Sequence, residues 1–206
     1  SAWRDSIAEL RNSDAKPIRP ERWMKELGDV LPDNALVVCD TGHTAMWSVQ
    51  QLWVNSQNWD FIRCAGSLGW AFPAAIGAKC AVPERPVICV TGDGGLWYHI
   101  QELETAVRCN IPTVTVVNNN YALNQEYNIF TAAYDGKPSD KWGEMWHFSG
   151  ASFAKLAEAM GGLGIRVEDP NEIGAAVKTA IAANRPAIVE VIGDVEALSP
   201  TAWLKK

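Results

Sequence analysis

The sequence has 206 residues, of which 48% are hydrophobic and 20% charged, so it has enough apolar material for one sizeable core and is not an intrinsically disordered chain. Its 18 Lys and Arg residues against 24 Asp and Glu residues give a net charge of −6, and no basic run exceeds the terminal Lys205–Lys206, which argues against nucleic acid as a partner. No stretch approaches the roughly 18 consecutive apolar residues of a membrane span, and Arg4 and Asp5 interrupt any signal-peptide core, so no membrane partner is expected and the expected location is the cytoplasm.

The N-terminal residues predict a short helix and a linker ahead of the main domain. Apolar residues recur at helical spacing over 3–11, and a polar, proline-bearing segment follows. Pro20 suits the first turn of the next helix, and Gly28 is expected to end it. The sequence therefore divides into a linker with the tail of a preceding domain at 1–19 and a main domain at 20–206.

From residue 35 onward, strand-like apolar runs alternate with segments of helical period. The runs are apolar on both faces, which is typical of parallel strands covered by helices on both sides. Strands are predicted at 35–39, 61–64, 87–91, 113–117, 164–167 and 187–191, and helices at 44–54, 70–82, 97–109, 152–161 and 171–184. The predicted fold class is α/β, with a doubly wound, mainly parallel sheet of about six strands.

Two further features of the sequence bear on the domain. Residues 120–150 show no clear element and are rich in Tyr, Trp, Asn and Gly, and so long a loop is usually functional. The cysteines occur singly, several of them within apolar runs, and are predicted to be buried free thiols in a reducing compartment: Cys39, Cys64, Cys80, Cys89 and Cys109.

A glycine-rich turn with one acid follows the third predicted strand. Gly92, Gly94 and Gly95 let the backbone turn sharply and approach a ligand, and the start of the following helix offers unpaired N–H groups that suit a phosphate. Asp93 cannot face a phosphate comfortably without a cation between them. The turn therefore predicts a phosphate together with Mg²⁺ or Ca²⁺.

The next predicted strand ends in three asparagines, 118–120. Between Asp93 and Asn119 there is room for one helix, a turn and a strand, so a βαβ unit returns the chain to the same sheet edge. A carboxylate, an amide and a backbone carbonyl, completed by phosphate oxygens and water, are ligands that Mg²⁺ accepts. Each motif alone is also explained as a common turn, and the spacing of the two favours a metal site.

These motifs resemble the thiamine-diphosphate-dependent enzymes, whose diphosphate-binding domain carries GDG, then a helix and a strand, then NN. Two further segments are similar to the acetolactate synthase-like branch of that family: CAGSLGWAFPAAIGAK at 64–79 and DTGHTAMW at 40–47. The resemblance extends from about residue 17 to 195. It implies thiamine diphosphate and Mg²⁺ as cofactors.

The resemblance also assigns roles to single residues. Asp93, the side-chain oxygen of Asn119 and the backbone carbonyl of Tyr121 would ligate Mg²⁺. Leu68 would wedge under the cofactor and force it into a V shape. The other implied cofactor contacts are His43, Thr44, Gly66, Ser67, Gly92, Gly94, Gly95 and Leu123. Many members of the family have Ser or Ala where Gly95 stands, so one hydroxyl contact is expected to be missing.

The implied reaction makes or breaks a carbon–carbon bond next to a carbonyl, as in acetolactate synthase or 2-hydroxyacyl-CoA lyase. The implied substrate is a 2-oxo acid, a 2-hydroxy ketone or an acyl-CoA. Gln125 and Glu126 are the candidate catalytic residues, and Gln125 stands where some decarboxylases carry glutamate, which disfavours simple decarboxylation. A 2-oxo acid decarboxylase and a catalytically silent module that binds a cofactor or nucleotide remain alternatives.

The family also uses a glutamate from a separate pyrimidine-binding domain to activate the cofactor. No counterpart of that domain is found in the 206 residues. We therefore expect it to come from the rest of a longer chain, of which this is a C-terminal fragment, or from a second subunit. A homodimer or homotetramer is expected, and the isolated chain is expected to be inactive.

Overall fold

One parallel sheet organises the domain. The computed structural model describes residues 2–137 and 139–199, and the six strands found there lie in the order β2-β1-β3-β4-β6-β5, with every neighbouring pair parallel. The strands are β1 (Leu36–Cys39), β2 (Asp60–Arg63), β3 (Val87–Gly92), β4 (Val114–Asn119), β5 (Leu163–Val167) and β6 (Ala187–Ile192). The predicted α/β class and its parallel sheet are confirmed: the inner strands β1, β3, β4 and β6 are buried almost throughout, whereas the edge strand β2 is exposed.

Helices cover both faces of this sheet. They are α1 (Ala2–Ser6), α2 (Ala8–Arg11), α3 (Pro20–Val30), α4 (His43–Gln51), α5 (Ala71–Ala81), α6 (Asp93–His99), α7 (Glu102–Arg108), α8 (Tyr127–Ala133), α9 (Phe153–Ala159) and α10 (Ile173–Ala182). Trp23 of α3 belongs to a core cluster shared with α4 and α10, whereas Phe72 and Phe153 belong to a second cluster shared by α5, α7 and α9. Among the helices described, none is both long enough and apolar enough to cross a membrane.

The helix boundaries differ from the prediction at two glycine-containing places. Helix α3 continues past Gly28 to Val30, because Gly28 packs closely against other segments: a Cβ there would lie 3.3 Å from Leu52 Cδ1. The helix predicted over 97–109 begins at Asp93 and is divided into α6 and α7. Gly94 and Gly95 lower the helical propensity of the first turn, which concealed its start from the sequence pattern.

Residues 120–150 are not an uninterrupted loop. They contain α8 and two short 3₁₀ helices, Asn124–Glu126 and Trp142–Met145. No residue of α8 is buried, and its seven residues are shorter than the stretch over which sequence analysis recognises a helical period. The N-terminal segment differs as well, because a break at Ile7 divides the predicted helix into α1 and α2.

The described cysteines are free thiols, but only part of the prediction about them holds. Cys39 and Cys89 are buried in the sheet, and burial raises the pKa of Cys39 to about 12. Cys80 and Cys109 are exposed, because each lies at the solvent side of a helix end rather than in a strand. The expectation that the thiols are buried was wrong for these two.

Candidate functional site

A cavity of about 270 Å³ opens at the carboxyl edge of the sheet. The chain leaves β1 for β2 on one side and later returns to place β3 on the other, so the strand order reverses between β1 and β3. Ligands of open α/β sheets bind at such a reversal, beyond the carboxyl ends of the strands. The lining residues are Thr41–Thr44 after β1, Gly66 and Leu68 after β2, Gly92–Gly95 at the end of β3, and Asn118, Asn120 and Ala122–Glu126 around the end of β4.

Most residues predicted for the site lie in the wall of this cavity. They are His43, Thr44, Gly66, Leu68, Gly92, Asp93, Gly94, Gly95, Leu123, Gln125 and Glu126. Ser67, Asn119 and Tyr121 do not line it: Ser67 is exposed, Asn119 is buried behind the wall, and Tyr121 is half-buried. Sequence reasoning assigned no role to Thr41, Gly42, Asn118, Asn120 and Ala122, although all of them flank or interrupt the motifs that it recognised, whereas Asn124 was expected beside the substrate together with Gln125 and Glu126.

Asp93 and Asn119, the two predicted side-chain ligands of a metal, face one short loop after β4. Asp93 is 3% exposed; its Oδ1 accepts from Gly94 N at 2.7 Å and its Oδ2 from Ala122 N at 3.0 Å. Asn119 Oδ1 accepts from Tyr121 N at 3.2 Å. Two consecutive N–H groups of the loop therefore point at the two side chains that the sequence predicted as neighbours.

The loop is turned by Tyr121, whose φ of 58° lies in the left-handed region. Its carbonyl oxygen, the third predicted ligand, accepts a hydrogen bond from Phe148 N at 2.7 Å. A carbonyl oxygen has two lone pairs, so this bond leaves one for a cation. Leu123 N donates to Trp146 O at 2.8 Å, and the two bonds together fix residues 121–123 against 146–148.

Burial makes Asp93 an unusual carboxylate. It raises the pKa of Asp93 to about 7, and the surrounding backbone N–H donors offset only part of this rise. A divalent cation beside the carboxylate would favour its ionised form. Over residues 2–137 and 139–199, no group of three or more His, Cys, Asp or Glu side chains is placed to hold a metal ion. The predicted set instead has one carboxylate, one amide and one carbonyl, which are hard oxygen donors of the kind that Mg²⁺ accepts.

Polar atoms without partners also mark the cavity wall. His43 Nδ1, Asn118 Oδ1 and Asn124 Oδ1 are buried, lack hydrogen-bond partners and belong to lining residues. Buried polar atoms are rarely left unpaired, so these indicate a polar occupant, and the amide oxygens call for hydrogen-bond donors on it rather than for phosphate oxygens. Burial lowers the pKa of His43 to about 4, so the neutral imidazole presents one donor and one acceptor at pH 7. The first N–H groups of α4 add donors that suit a phosphate. The wall therefore fits a cofactor that carries phosphate groups.

Leu68 belongs to this wall and not to the hydrophobic core. It is half-buried and is absent from both core clusters of the described residues. A Cβ added to Gly42 would lie 3.8 Å from Leu68 Cδ1 and 3.6 Å from Gln125 Oε1, so these two side chains converge above Gly42. Because φ of Gly42 is +80°, a larger residue would be strained there and would intrude on both.

Asp40 connects the three motifs and was not predicted as a site residue. It is fully buried, and its carboxylate accepts from Thr41 N at 2.8 Å, from Gly69 N at 3.0 Å and from Thr91 Oγ1 at 3.0 Å. Burial raises the pKa of Asp40. Asp40 therefore joins the end of β1, the segment after β2 and the end of β3. Only the acid in the DTGHTAMW segment could have signalled this role.

Gly95 lies against Asp40, and this contact gives a prediction about stability. A Cβ at Gly95 would lie 2.5 Å from Asp40 Oδ2 and 2.7 Å from Thr91 Oγ1. We expect Gly95→Ala to lower the free energy of unfolding by about 1–3 kcal/mol, as overpacking does in other buried sites. Chemical denaturation of both proteins measures the difference. The site therefore has a packing reason for glycine at the position where many family members carry Ser or Ala.

Gly77→Ala is the matched control for this change. Gly77 lies in α5 with no atom within 4 Å of its added Cβ, so alanine should leave stability unchanged or raise it by up to about 1 kcal/mol. Equal stability of Gly95→Ala and the unchanged protein would contradict the packing argument.

The comparison with protein families decides the identity of the domain. Residues 40–191 match the family described as thiamine pyrophosphate enzyme, C-terminal TPP binding domain. The chain belongs to this family. Thiamine pyrophosphate is another name for thiamine diphosphate, so the family expected from the motifs is confirmed.

Several curated relatives in this family are acetolactate synthases. The probable acetolactate synthase large subunit of Methanococcus aeolicus is 34% identical over 205 residues, which are 92% of this chain and 33% of that protein. The acetolactate synthase isozyme 3 large subunit of Escherichia coli is 30% identical over 202 residues, which are 93% of this chain and 33% of that protein. The chain thus spans about a third of the length of these relatives.

A solved structure shares the fold. The thiamine diphosphate-dependent 4-hydroxybenzoylformate decarboxylase of Rhodococcus jostii RHA1 superposes with a TM-score of 0.75 at 28% identity, covering 88% of this chain and 34% of that chain. The relatives therefore include both a synthase and a decarboxylase, and the family alone does not choose between the two reactions.

Proposed function

We propose that this chain is the diphosphate- and Mg²⁺-binding domain of a thiamine-diphosphate-dependent enzyme that makes or breaks carbon–carbon bonds next to a carbonyl. The observation that carries the proposal is the convergence of Asp93 and Asn119 on one loop at the strand-order reversal. The similarity to acetolactate synthase large subunits supports a carboligase or lyase. The substrate classes are 2-oxo acids, 2-hydroxy ketones and acyl-CoA thioesters.

In this proposal the residues of the wall have distinct tasks. Asp93, Asn119 and the Tyr121 carbonyl hold Mg²⁺, and the backbone N–H of Gly95 binds the diphosphate. Gly94, also expected as a donor, already donates its N–H to Asp93 Oδ1. Leu68 supports the cofactor from below. When bound, thiamine diphosphate supplies a nucleophilic carbon that attacks the substrate carbonyl, and the protein binds, orients and shields it.

We also propose that a pyrimidine-binding domain completes the site, either elsewhere in the polypeptide or in a second subunit of a homodimer or homotetramer. Four large apolar side chains in β2, directly before α5 and in α6 are exposed, which supports such a covering partner: Phe61, Ile62, Trp70 and Tyr98. In that arrangement the chain alone does not catalyse the reaction. A cytoplasmic location is part of the proposal and agrees with the free thiols.

A 2-oxo acid decarboxylase is the second candidate function. Glu126 lines the same cavity as Gln125, so a carboxyl group that could deliver a proton is present beside the predicted substrate position. With Glu126 as proton donor, the site would release a free aldehyde. The products formed by variants at position 125 distinguish the two functions, as argued in the Discussion.

Isothermal titration calorimetry tests cofactor binding directly. We expect thiamine diphosphate to bind the protein in the presence of Mg²⁺ and at least tenfold more weakly after Mg²⁺ is removed with EDTA, because the cation links Asp93 to the diphosphate. ADP serves as the control, since a generic nucleotide-binding module would accept it. Equal binding of ADP and thiamine diphosphate would favour the silent module instead.

A further inference from the structure

Glu190 is a buried acid beside the candidate site, and the proposed function assigns it no role. It lies within β6 and is 0% exposed. Its Oε2 accepts from Ser152 Oγ at 2.6 Å and from Ala154 N at 3.1 Å. Its Oε1 accepts from Asn119 Nδ2 at 2.7 Å and from Arg166 Nη1 at 3.2 Å. Four donors thus converge on a group that acts only as an acceptor.

The bond from Asn119 to Glu190 determines which way the Asn119 amide points. Asn119 Nδ2 donates to Glu190 Oε1 at 2.7 Å and to the Ala151 carbonyl at 3.3 Å, so both of its protons face acceptors. The side-chain oxygen is then directed to the opposite side, where it accepts from Tyr121 N. Without such partners, an asparagine amide can rotate by 180° and present NH₂ in place of oxygen, with almost unchanged shape.

The same acid reaches the other end of the metal loop through Arg166. Arg166 and Glu190 are partners in the β5–β6 register, and Arg166 Nη1 also donates to the Tyr121 hydroxyl at 3.1 Å. Tyr121 has the positive φ that turns the loop and offers its carbonyl as a predicted ligand. Glu190 therefore contacts one predicted metal ligand directly and is linked to a second by one side chain.

We infer that Glu190 is a positioning residue of the metal site, which fixes the Asn119 amide with its oxygen towards the cation. This inference rests on the proposed function, because it assumes that Asn119 ligates Mg²⁺. Groups behind the ligands commonly change metal affinity by about 10–100-fold when they are altered. Burial, the four donors and the two-sided fixing of the amide together distinguish Glu190 from an acid that only fills space.

Glu190→Gln is the direct test. The new side-chain oxygen should stay with Ser152 and Ala154, because the backbone N–H of Ala154 cannot turn away. Its NH₂ group then faces Asn119, whose amide is expected to flip and to withdraw its oxygen from the loop. Mn²⁺, a paramagnetic substitute for Mg²⁺, is titrated into the protein with saturating thiamine diphosphate and followed by electron paramagnetic resonance against a protein-free blank. We expect the affinity for Mn²⁺ to fall at least tenfold.

Ser152→Ala is the matched control for lost packing. It removes one partner of Glu190 and the side-chain cap of α9, but leaves the bond between Asn119 and Glu190 in place. Thermal stability should fall, while Mn²⁺ affinity stays within threefold of that of the unchanged protein. Loss of Mn²⁺ affinity in step with stability in both variants would assign Glu190 a structural role only and would overturn the inference.

A paired exchange at positions 119 and 190 gives a second test of the orientation of the Asn119 amide. Asn119→Asp alone places the carboxylates of positions 119 and 190 against each other, whereas Asn119→Asp combined with Glu190→Gln restores a donor and an acceptor across the pair. Because a carboxylate presents an oxygen on both sides, the double variant should bind Mn²⁺ at least fivefold more tightly than Glu190→Gln alone. Additive losses would count against orientation of Asn119 by Glu190.

Asn119→Ala separates this inference from the proposed function. If Asn119→Ala weakens Mn²⁺ binding but Glu190→Gln does not, the metal site stands and the positioning role of Glu190 is overturned. If Asn119→Ala leaves Mn²⁺ binding unchanged, the proposed metal site itself fails. If Asn119→Ala and Glu190→Gln each weaken Mn²⁺ binding, and the double variant Asn119→Asp/Glu190→Gln recovers it, both the metal site and the positioning role of Glu190 are supported.

Discussion

Asp93→Asn is expected to weaken Mg²⁺-dependent binding of thiamine diphosphate at least tenfold, which corresponds to about 1.4 kcal/mol or more. Asp93 supplies the only carboxylate of the predicted ligand set, and the change removes its negative charge while keeping its size. The new NH₂ group would also face donors, since both carboxylate oxygens now accept backbone N–H bonds from Gly94 and Ala122. Calorimetric titration with thiamine diphosphate at fixed Mg²⁺ measures the loss.

Asp60→Asn provides the matched control for this prediction. Asp60 is the first residue of β2, at the amino edge of the sheet, and pairs with Arg85 on an exposed surface. The same chemical change at this edge should leave cofactor affinity unaltered. Thermal unfolding without Mg²⁺ shows whether either variant is misfolded. A folded Asp93→Asn protein with full affinity would remove Asp93 from the metal site.

The parts of the fold that sequence could predict are those with a local signal. Each strand contains a short run of apolar residues, and the Gly-Asp-Gly-Gly turn places its chemistry within four adjacent residues. Helix α8 gave no clear signal, because its seven residues are shorter than the stretch over which a helical period is recognised. Its first residue, Tyr127, packs its ring edge-on against Trp142 and Trp146, which lie beyond the helix.

The parts of the site that sequence could not predict depend on contacts between distant segments. Glu190 meets Asn119 across 71 residues, and Asp40 meets Thr91 across 51. In the sequence, Glu190 is one polar residue within an apolar strand, and nothing near it identifies a partner. Glycines are ambiguous for the same reason: Gly28 suggests a helix end, but a Cβ there would press on Leu52.

Gln125→Glu is expected to shift the products towards free aldehyde, raising the ratio of aldehyde to ligated product from pyruvate at least tenfold. Gln125 is exposed and lines the cavity, and its Oε1 lies near Gly42. An amide can donate and accept hydrogen bonds, but it cannot deliver a proton to the reacting carbon as a carboxylic acid does. Positioned acids typically contribute about 10²–10⁴-fold to such proton transfers. Without one, capture by a second carbonyl compound or an acyl acceptor is favoured over aldehyde release.

The experiment compares products from pyruvate by chromatography in the assembled enzyme, with Gln57→Glu as the control. Gln57 is exposed in the segment before β2, at the amino edge of the sheet, so the same charge added there should not alter the products. Glu126→Gln tests the competing assignment. If the unchanged enzyme already releases mainly aldehyde and Glu126→Gln abolishes this, Glu126 supplies the proton and the decarboxylase is the correct function. If neither variant changes the ratio, the product is decided by residues outside positions 125 and 126, because the carboxyl group added at position 125 and the native one removed from position 126 would both have been tested.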